Sequence, residues 1–145
     1  MYKNISFNIA DKPITLANRA ELKIFLEKQL KKEGIKIEYL QYVFCSDNYL
    51  IGINKQFLNH DYYTDIISFD LSETKGELIG DIYISVDRVK ENAKTHKTTQ
   101  GNELLRVIFH GALHFCGYKD KKPADVKLMR SMEEKWLKAY MKLTG

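Results

Sequence analysis

The sequence predicts an α+β fold, a small four-stranded mixed sheet packed with about five helices. Three observations predict it. Four segments carry the alternating or β-branched patterning of strands, and five carry helical spacing, in mixed order. The length of 145 residues is that of one domain, 1–145, built on a single core. Hydrophobic residues at 44% and charged residues at 29% give the balance of a soluble globular chain.

The elements follow in order. Tyr2, Ile5, Phe7 and Ile9 alternate with polar residues and predict a strand over 2–9. Leu16, Ala20, Ile24 and Leu30 fall at helical spacing over 15–33, with Thr15 as the N-cap and Gly34 as the stop. Residues 35–45 return to strand, with Ile35, Ile37 and Tyr39 on one face. Ser46 or Asp47 caps a short helix to about Phe57. After the loop Leu58-Asn59-His60-Asp61-Tyr62-Tyr63, residues 64–69 and 78–85 predict two strands around a polar turn. Three helices complete the chain: 86–97 with Val86, Val89 and Ala93 inward, the apolar 101–115, and the amphipathic 123–142. Pro13 and Pro123 each precede a helical pattern, where proline is tolerated.

Composition excludes several classes. No apolar run approaches the ~20 residues of a membrane-spanning helix. Asp11 and Lys12 interrupt the stretch where a signal peptide would need its apolar region, so a cytoplasmic location without membrane attachment is expected. Cys45 and Cys116 lie in apolar stretches and read as reduced, packed thiols. The net charge of +4 permits a nucleic-acid partner without announcing one. Of the 23 cations 19 are lysine, which suits phosphate contacts and solvated faces better than base reading.

The chemistry is concentrated in Phe109-His110-Gly111-Ala112-Leu113-His114-Phe115-Cys116-Gly117-Tyr118-Lys119-Asp120. His110 and His114 are four apart on a predicted helix, so both imidazoles leave one face a turn apart. Two nitrogens so placed reach one ion at ~2.0–2.1 Å. Gly117 is suited to the left-handed conformation that ends a helix and folds the chain back. Asp120 follows, where its carboxylate closes a three-ligand site, one Zn²⁺ per chain. Zinc peptidases of the H-E-x-x-H kind carry their general base after the first histidine. Here that position is Gly111, which removes the peptidase reading.

The same stretch resembles the YbeY-type metal-dependent endoribonucleases, bacterial rRNA maturation factors whose motif runs H-G-x-L-H-L-x-G-Y-D-H. Ile53-Asn54 with Thr64-Asp65-Ile66-Ile67-Ser68-Phe69 is similar to a second family segment, and Leu78-Ile79-Gly80-Asp81-Ile82-Tyr83-Ile84-Ser85 to its L-G-D-I-V-I strand. Met129, Met132 and Glu133 resemble its C-terminal helix. The chain departs twice: Lys119-Asp120 replaces the family's Asp-His, with the third ligand His in the family, and Leu58 stands where the family has an active-site Arg.

The resemblance implies a hydrolytic, single-strand-specific endoribonuclease acting in rRNA maturation and ribosome quality control. Its implied partners are single-stranded rRNA and the ribosomal small subunit or its associated proteins. Asp81 matches the L-G-D segment and either orients the attacking group, buttresses a ligand histidine, or serves as a turn or capping aspartate. Arg106, on the histidine face, either holds an RNA phosphate as a catalytic residue or pairs with Glu103 or another acid; with His60 it is the nearest substitute for the missing Arg. Lys119, Lys121 and Lys122, with Tyr118, form either a phosphate-and-stacking patch for substrate or a solvated loop. A ribosome-associated metal-binding module with little nuclease activity is the alternative that Leu58 favours. A hydrolase of small phosphoesters is a third, which a deep closed pocket would favour.

Overall fold

The computed structural model describes residues 4–58 and 64–144. Its elements are β1 (Ile5–Ile9), α1 (Arg19–Lys32), β2 (Lys36–Cys45), α2 (Asp47–Leu58), β3 (Ile66–Asp70), β4 (Glu77–Ser85), α3 (Val86–Thr95), α4 (Gln100–Phe115) and α5 (Pro123–Thr144). The strands form one mixed sheet in the order β1-β2-β4-β3. β1, β2 and β4 run parallel, and β3 is antiparallel at the edge. The predicted fold class and the count of strands and helices stand.

Two local expectations are corrected. The first helix starts at Arg19, because Asn18 adopts φ 56° and ψ 43° and no α-helix runs through a left-handed residue. Thr15 therefore caps nothing. The end at Gly34 holds: Gly34 takes φ 83°, and the Gly34 and Ile35 N–H groups donate to the Lys31 and Leu30 carbonyls. In β2, the pairing shifts by a residue between Ile37 and Tyr39. This bulge changes the parity of the strand. Ile37 stays buried, Tyr39 is 43% exposed, and the core face continues as Leu40, Tyr42 and Phe44. Among the helix caps, Ser46 accepts from the Tyr49 N–H, Ser85 from Arg88 and Thr99 from Asn102.

α4 is the centre of the packing. Leu104, Val107, Ile108, Phe109, Ala112 and Leu113 are all buried, against Ile82 and Ile84 of β4 and a ring cluster of Phe25, Phe109, Trp136 and Tyr140 from α1, α4 and α5. Tyr42 of β2 donates its hydroxyl to the Ile108 carbonyl at 3.0 Å, tying the helix to the sheet from within the core. Gly111 makes this closeness possible. A Cβ there would meet the Ile66 and Ile82 Cδ1 atoms at 2.9 Å. Gly80 answers from the sheet, since its Cβ would lie 2.8 Å from the Phe115 ring. A smaller cluster of Cys45, Leu50, Ile53 and Ile67, with Phe69 and Tyr83, covers the other face under α2. Cys45 and Cys116 are free thiols, and burial pushes each up to about 12. Among the described residues no helix is long and apolar enough to cross a membrane.

Candidate metal centre

The C-terminal turn of α4 assembles the site. Cys116 ends the helix, Gly117 takes φ 97°, and the Gly117 and Tyr118 N–H groups donate to the His114 and Leu113 carbonyls. This closure satisfies carbonyls that the helix end would orphan and reverses the chain. Reversal turns the Tyr118 carbonyl back onto His114, whose Nδ1 lies 3.0 Å away, and brings Asp120 over both histidines. His110 Nε2, His114 Nε2 and Asp120 Oδ2 lie 3.0, 3.1 and 3.2 Å apart.

The other nitrogen of each ring is already committed. His114 Nδ1 donates to the Tyr118 carbonyl, and His110 Nδ1 to Glu133 Oε2 at 2.6 Å. Each Nε2 therefore turns a lone pair toward the other, beside a carboxylate oxygen. Three electron-rich atoms this close require a cation: a proton on one imidazole, or a metal ion shared by all three. His-His-Asp is a set that zinc accepts, and histidine ligands bound through one nitrogen while the other donates to a carboxylate or carbonyl are the rule in such sites. These residues are the one group of metal-ligating character among the described residues.

Glu133 is the residue that the reading of the sequence missed as part of the site. It is 1% exposed, on α5, with Oε2 toward His110 and Oε1 2.9 Å from Arg106 Nη1. Burial pushes its carboxyl up, but the His110 and Arg106 hydrogen bonds outweigh this and hold it below the ordinary range. Burial pulls the His110 imidazole down, and the Glu133 hydrogen bond and charge, with Asp65 and Asp120, leave it above its ordinary value. A signal existed: Glu133 shares a helical stripe with the buried Met129, Trp136, Leu137 and Tyr140, and an acid in such a stripe needs a partner.

Arg106 is placed away from the role of phosphate holder. Its Nε and Nη2 donate to the carboxylate of Glu103 and its Nη1 to Glu133. The paired alternative describes it. Burial alone would weaken its charge, but two carboxylates keep the guanidinium firmly ionised. Glu103, 2% exposed, is ion-paired with Arg106, and His96 Nδ1 lies 3.6 Å from its Oε1.

Asp81 is corrected more sharply. Gly80 faces α4 and Phe115, so strand alternation turns Asp81 to the opposite face of the sheet. There it accepts from Gln41 Nε2 at 3.2 Å and lines a groove of about 570 Å³ with Tyr49, Phe57, Phe69 and Tyr83. It neither lines the cleft of His110 and His114 nor contacts either ring. His60 lies outside the described residues. Leu58 ends α2, 41% exposed.

The histidines line a cleft of about 430 Å³ with Thr64, Asp65, Ser68, Asp70 and Asp120. It is shallow at the ligands, with side-chain exposures of 30% for His114 and 37% for Asp120. Such a groove suits an extended chain better than a small phosphoester. Lys119, Lys121 and Lys122 are exposed beside it on the turn that carries Asp120.

The family model described as endoribonuclease YbeY matches residues 4–141. A protein of Cytophaga hutchinsonii named endoribonuclease YbeY is 49% identical over 132 residues, 91% of this chain and 92% of its own. One of the same name from Flavobacterium psychrophilum is 56% identical over 101 residues, 70% and 71% of the two chains. The solution structure of a Thermotoga maritima protein superposes with a TM-score of 0.60 at 28% identity, covering 92% of this chain and 88% of the other. With a matched span that takes in all four strands, the turn that carries Asp120 and most of α5, the chain belongs to the endoribonuclease YbeY family.

Proposed function

We propose that the chain is a metal-dependent endoribonuclease that cleaves single-stranded rRNA in the cytoplasm, during maturation and quality control of the ribosomal small subunit, with one Zn²⁺ held by His110, His114 and Asp120. The observation that carries the reading is the convergence of His110 Nε2, His114 Nε2 and Asp120 Oδ2, each imidazole already oriented through its Nδ1. An ion held there would supply Lewis-acid polarisation of a phosphoryl oxygen and would make water at the site more acidic. Three protein ligands leave a position open, the plan of a catalytic site.

The protein's own residues divide the remaining work. Asp65 and Asp70 make the cleft wall acidic, and Arg106 is spent on Glu103 and Glu133. Positive charge for the RNA backbone therefore comes from the exposed Lys119, Lys121 and Lys122, with Tyr118 as a stacking surface. A single strand held by its phosphates on these lysines would lie along the cleft of His110, His114 and Asp120.

The test is cleavage of one RNA sequence in single-stranded and duplex form, with a chelator arm and a salt series. Single-strand cleavage that the chelator abolishes is expected, and affinity should fall with salt at a log–log slope of about −0.7 per phosphate contact. Equal cleavage of both forms, or activity that survives chelation, overturns the reading. Binding without cleavage would favour the metal-binding module that Leu58 suggests.

Asp120 makes a distinct prediction. Two neutral imidazoles and a carboxylate leave a dication near +1, whereas three imidazoles leave +2. The more positive centre acidifies water further. Asp120→His is therefore expected to move the rising limb of the pH–rate profile to lower pH, and to reduce the ability of Mn²⁺, which prefers oxygen donors, to replace Zn²⁺. Superimposable profiles with unchanged metal preference would remove Asp120 from the ligand set.

A further inference from the structure

We propose that Glu133, clamped by Arg106, is the positioning residue of this centre: it locks the His110 proton on Nδ1, so that Nε2 always faces the ion. The proposal rests on the reading of His110 as a ligand.

The two histidines are oriented by different means. His114 Nδ1 meets a main-chain carbonyl, that of Tyr118, which the Gly117 turn sets whatever the side chain at 118. His110 Nδ1 meets a side chain from another helix, Glu133 Oε2 at 2.6 Å. A carboxylate accepts and does not donate. The opposite tautomer, with its proton on Nε2, would set the Nδ1 lone pair against an anionic oxygen at that distance, and would block the atom that faces His114 and Asp120.

Such a lock works only if the carboxylate cannot turn away. Glu133 is 1% exposed, and its second oxygen is held 2.9 Å from Arg106 Nη1. Arg106 is held in turn, since its Nε lies 3.1 and 3.2 Å from the two oxygens of Glu103, itself 2% exposed. Glu103, Arg106 and His110 succeed one another by three and four residues on α4, a ladder along one helix face. It delivers a fixed guanidinium to Glu133, and Glu133 delivers a fixed acceptor to His110. The guanidinium also keeps the buried carboxylate from being an uncompensated charge, so Arg106 acts on the centre through Glu133 and touches neither ion nor substrate.

The test reads tautomer and metal affinity rather than turnover. Long-range ¹H–¹⁵N spectra of the imidazoles, on full-length protein at mildly alkaline pH with and without Zn²⁺, are expected to place the His110 proton on Nδ1 in both states. Glu133→Gln is expected to weaken Zn²⁺ about 10- to 100-fold in a chelator competition, with a shifted His110 Nδ1–H signal. Arg106→Met should weaken Zn²⁺ on its own and add little to Glu133→Gln, because the two act as one unit. A neutral His110 ring that carries its single proton on Nε2 instead of Nδ1 in Zn²⁺-free wild type overturns the proposal without recourse to any variant, as does a Glu133→Gln protein with wild-type affinity and spectrum. His114→Ala serves as the control for the underlying reading: retained Zn²⁺ affinity there refutes the ligand set itself, whereas the Glu133 outcomes refute only the lock.

Discussion

His114→Ala is expected to leave a folded protein that holds no stoichiometric metal and cleaves RNA at least about 10³-fold more slowly. The fold survives because the helix end does not depend on the imidazole. The Gly117 and Tyr118 N–H groups close the last turn on main-chain carbonyls, and the His114 side chain is 30% exposed. What goes is one of three donors. The remaining pair, His110 Nε2 and Asp120 Oδ2, are 3.1 Å apart and form a bidentate site of much lower affinity. Loss of even one preorganised electrostatic group in an active site costs about 10²–10³ in rate, and loss of the ion removes more than one. Elemental analysis and RNA cleavage, run in parallel on wild type and variant with circular dichroism as the check on folding, measure the effect. One equivalent of metal in the variant would show that His114 is no ligand.

Gly111→Glu is expected to destabilise the protein by about 3 kcal/mol or more, lowering the melting temperature by roughly 10 °C. The substitution would restore the sequence pattern of a zinc peptidase, yet the position does not face the cleft. It faces the sheet, where a Cβ alone meets Ile66 and Ile82 Cδ1 at 2.9 Å, and Ile82 is fully buried. A glutamate would carry a charge into that contact with no cation to meet it. Gly111→Ala is the milder comparison, because a gain of about 1 kcal/mol in helix propensity offsets part of the overpacking. Thermal unfolding decides, and a Gly111→Glu protein melting within ~2 °C of wild type would show that the α4–sheet contact is looser than described. No peptidase activity is expected from it.

The grouping of His110, His114 and Asp120 is legible in the sequence because it is local. Helical geometry relates His110 to His114, and one glycine relates both to Asp120, so spacing alone carries the argument. The outcome differs wherever the answer depends on a second element. Glu133 reaches His110 from α5, 23 residues on, and only the packing of two helices reveals that contact. The chemical reading of Asp81 rests on neighbours in sequence that resemble a family segment. Its side depends on which face of β4 the helices cover, and Gly80 settles this only through its contact with Phe115, 35 residues on in the chain. Tyr39 fell on the wrong face for a related reason, since a bulge in β2 is a property of the pairing with β4 and not of β2 alone. Arg106 shares the histidine face as its spacing requires, but two buried acids claim it before any phosphate does.

Local donors and a remote anchor would order the capture of an ion held by His110, His114 and Asp120. His110 and Asp120 are ten residues apart, and closing so short a loop costs little entropy. The three donors can meet as soon as α4 and its turn exist. The His110 tautomer, however, is free until α5 docks and brings Glu133, so an early chain offers the ion two oriented donors and one that is wrong part of the time. An ion held by the proposed donors would then bind unfolded and partly folded forms weakly and the finished fold strongly. By mass action that difference would add conformational stability and draw the last helix into place.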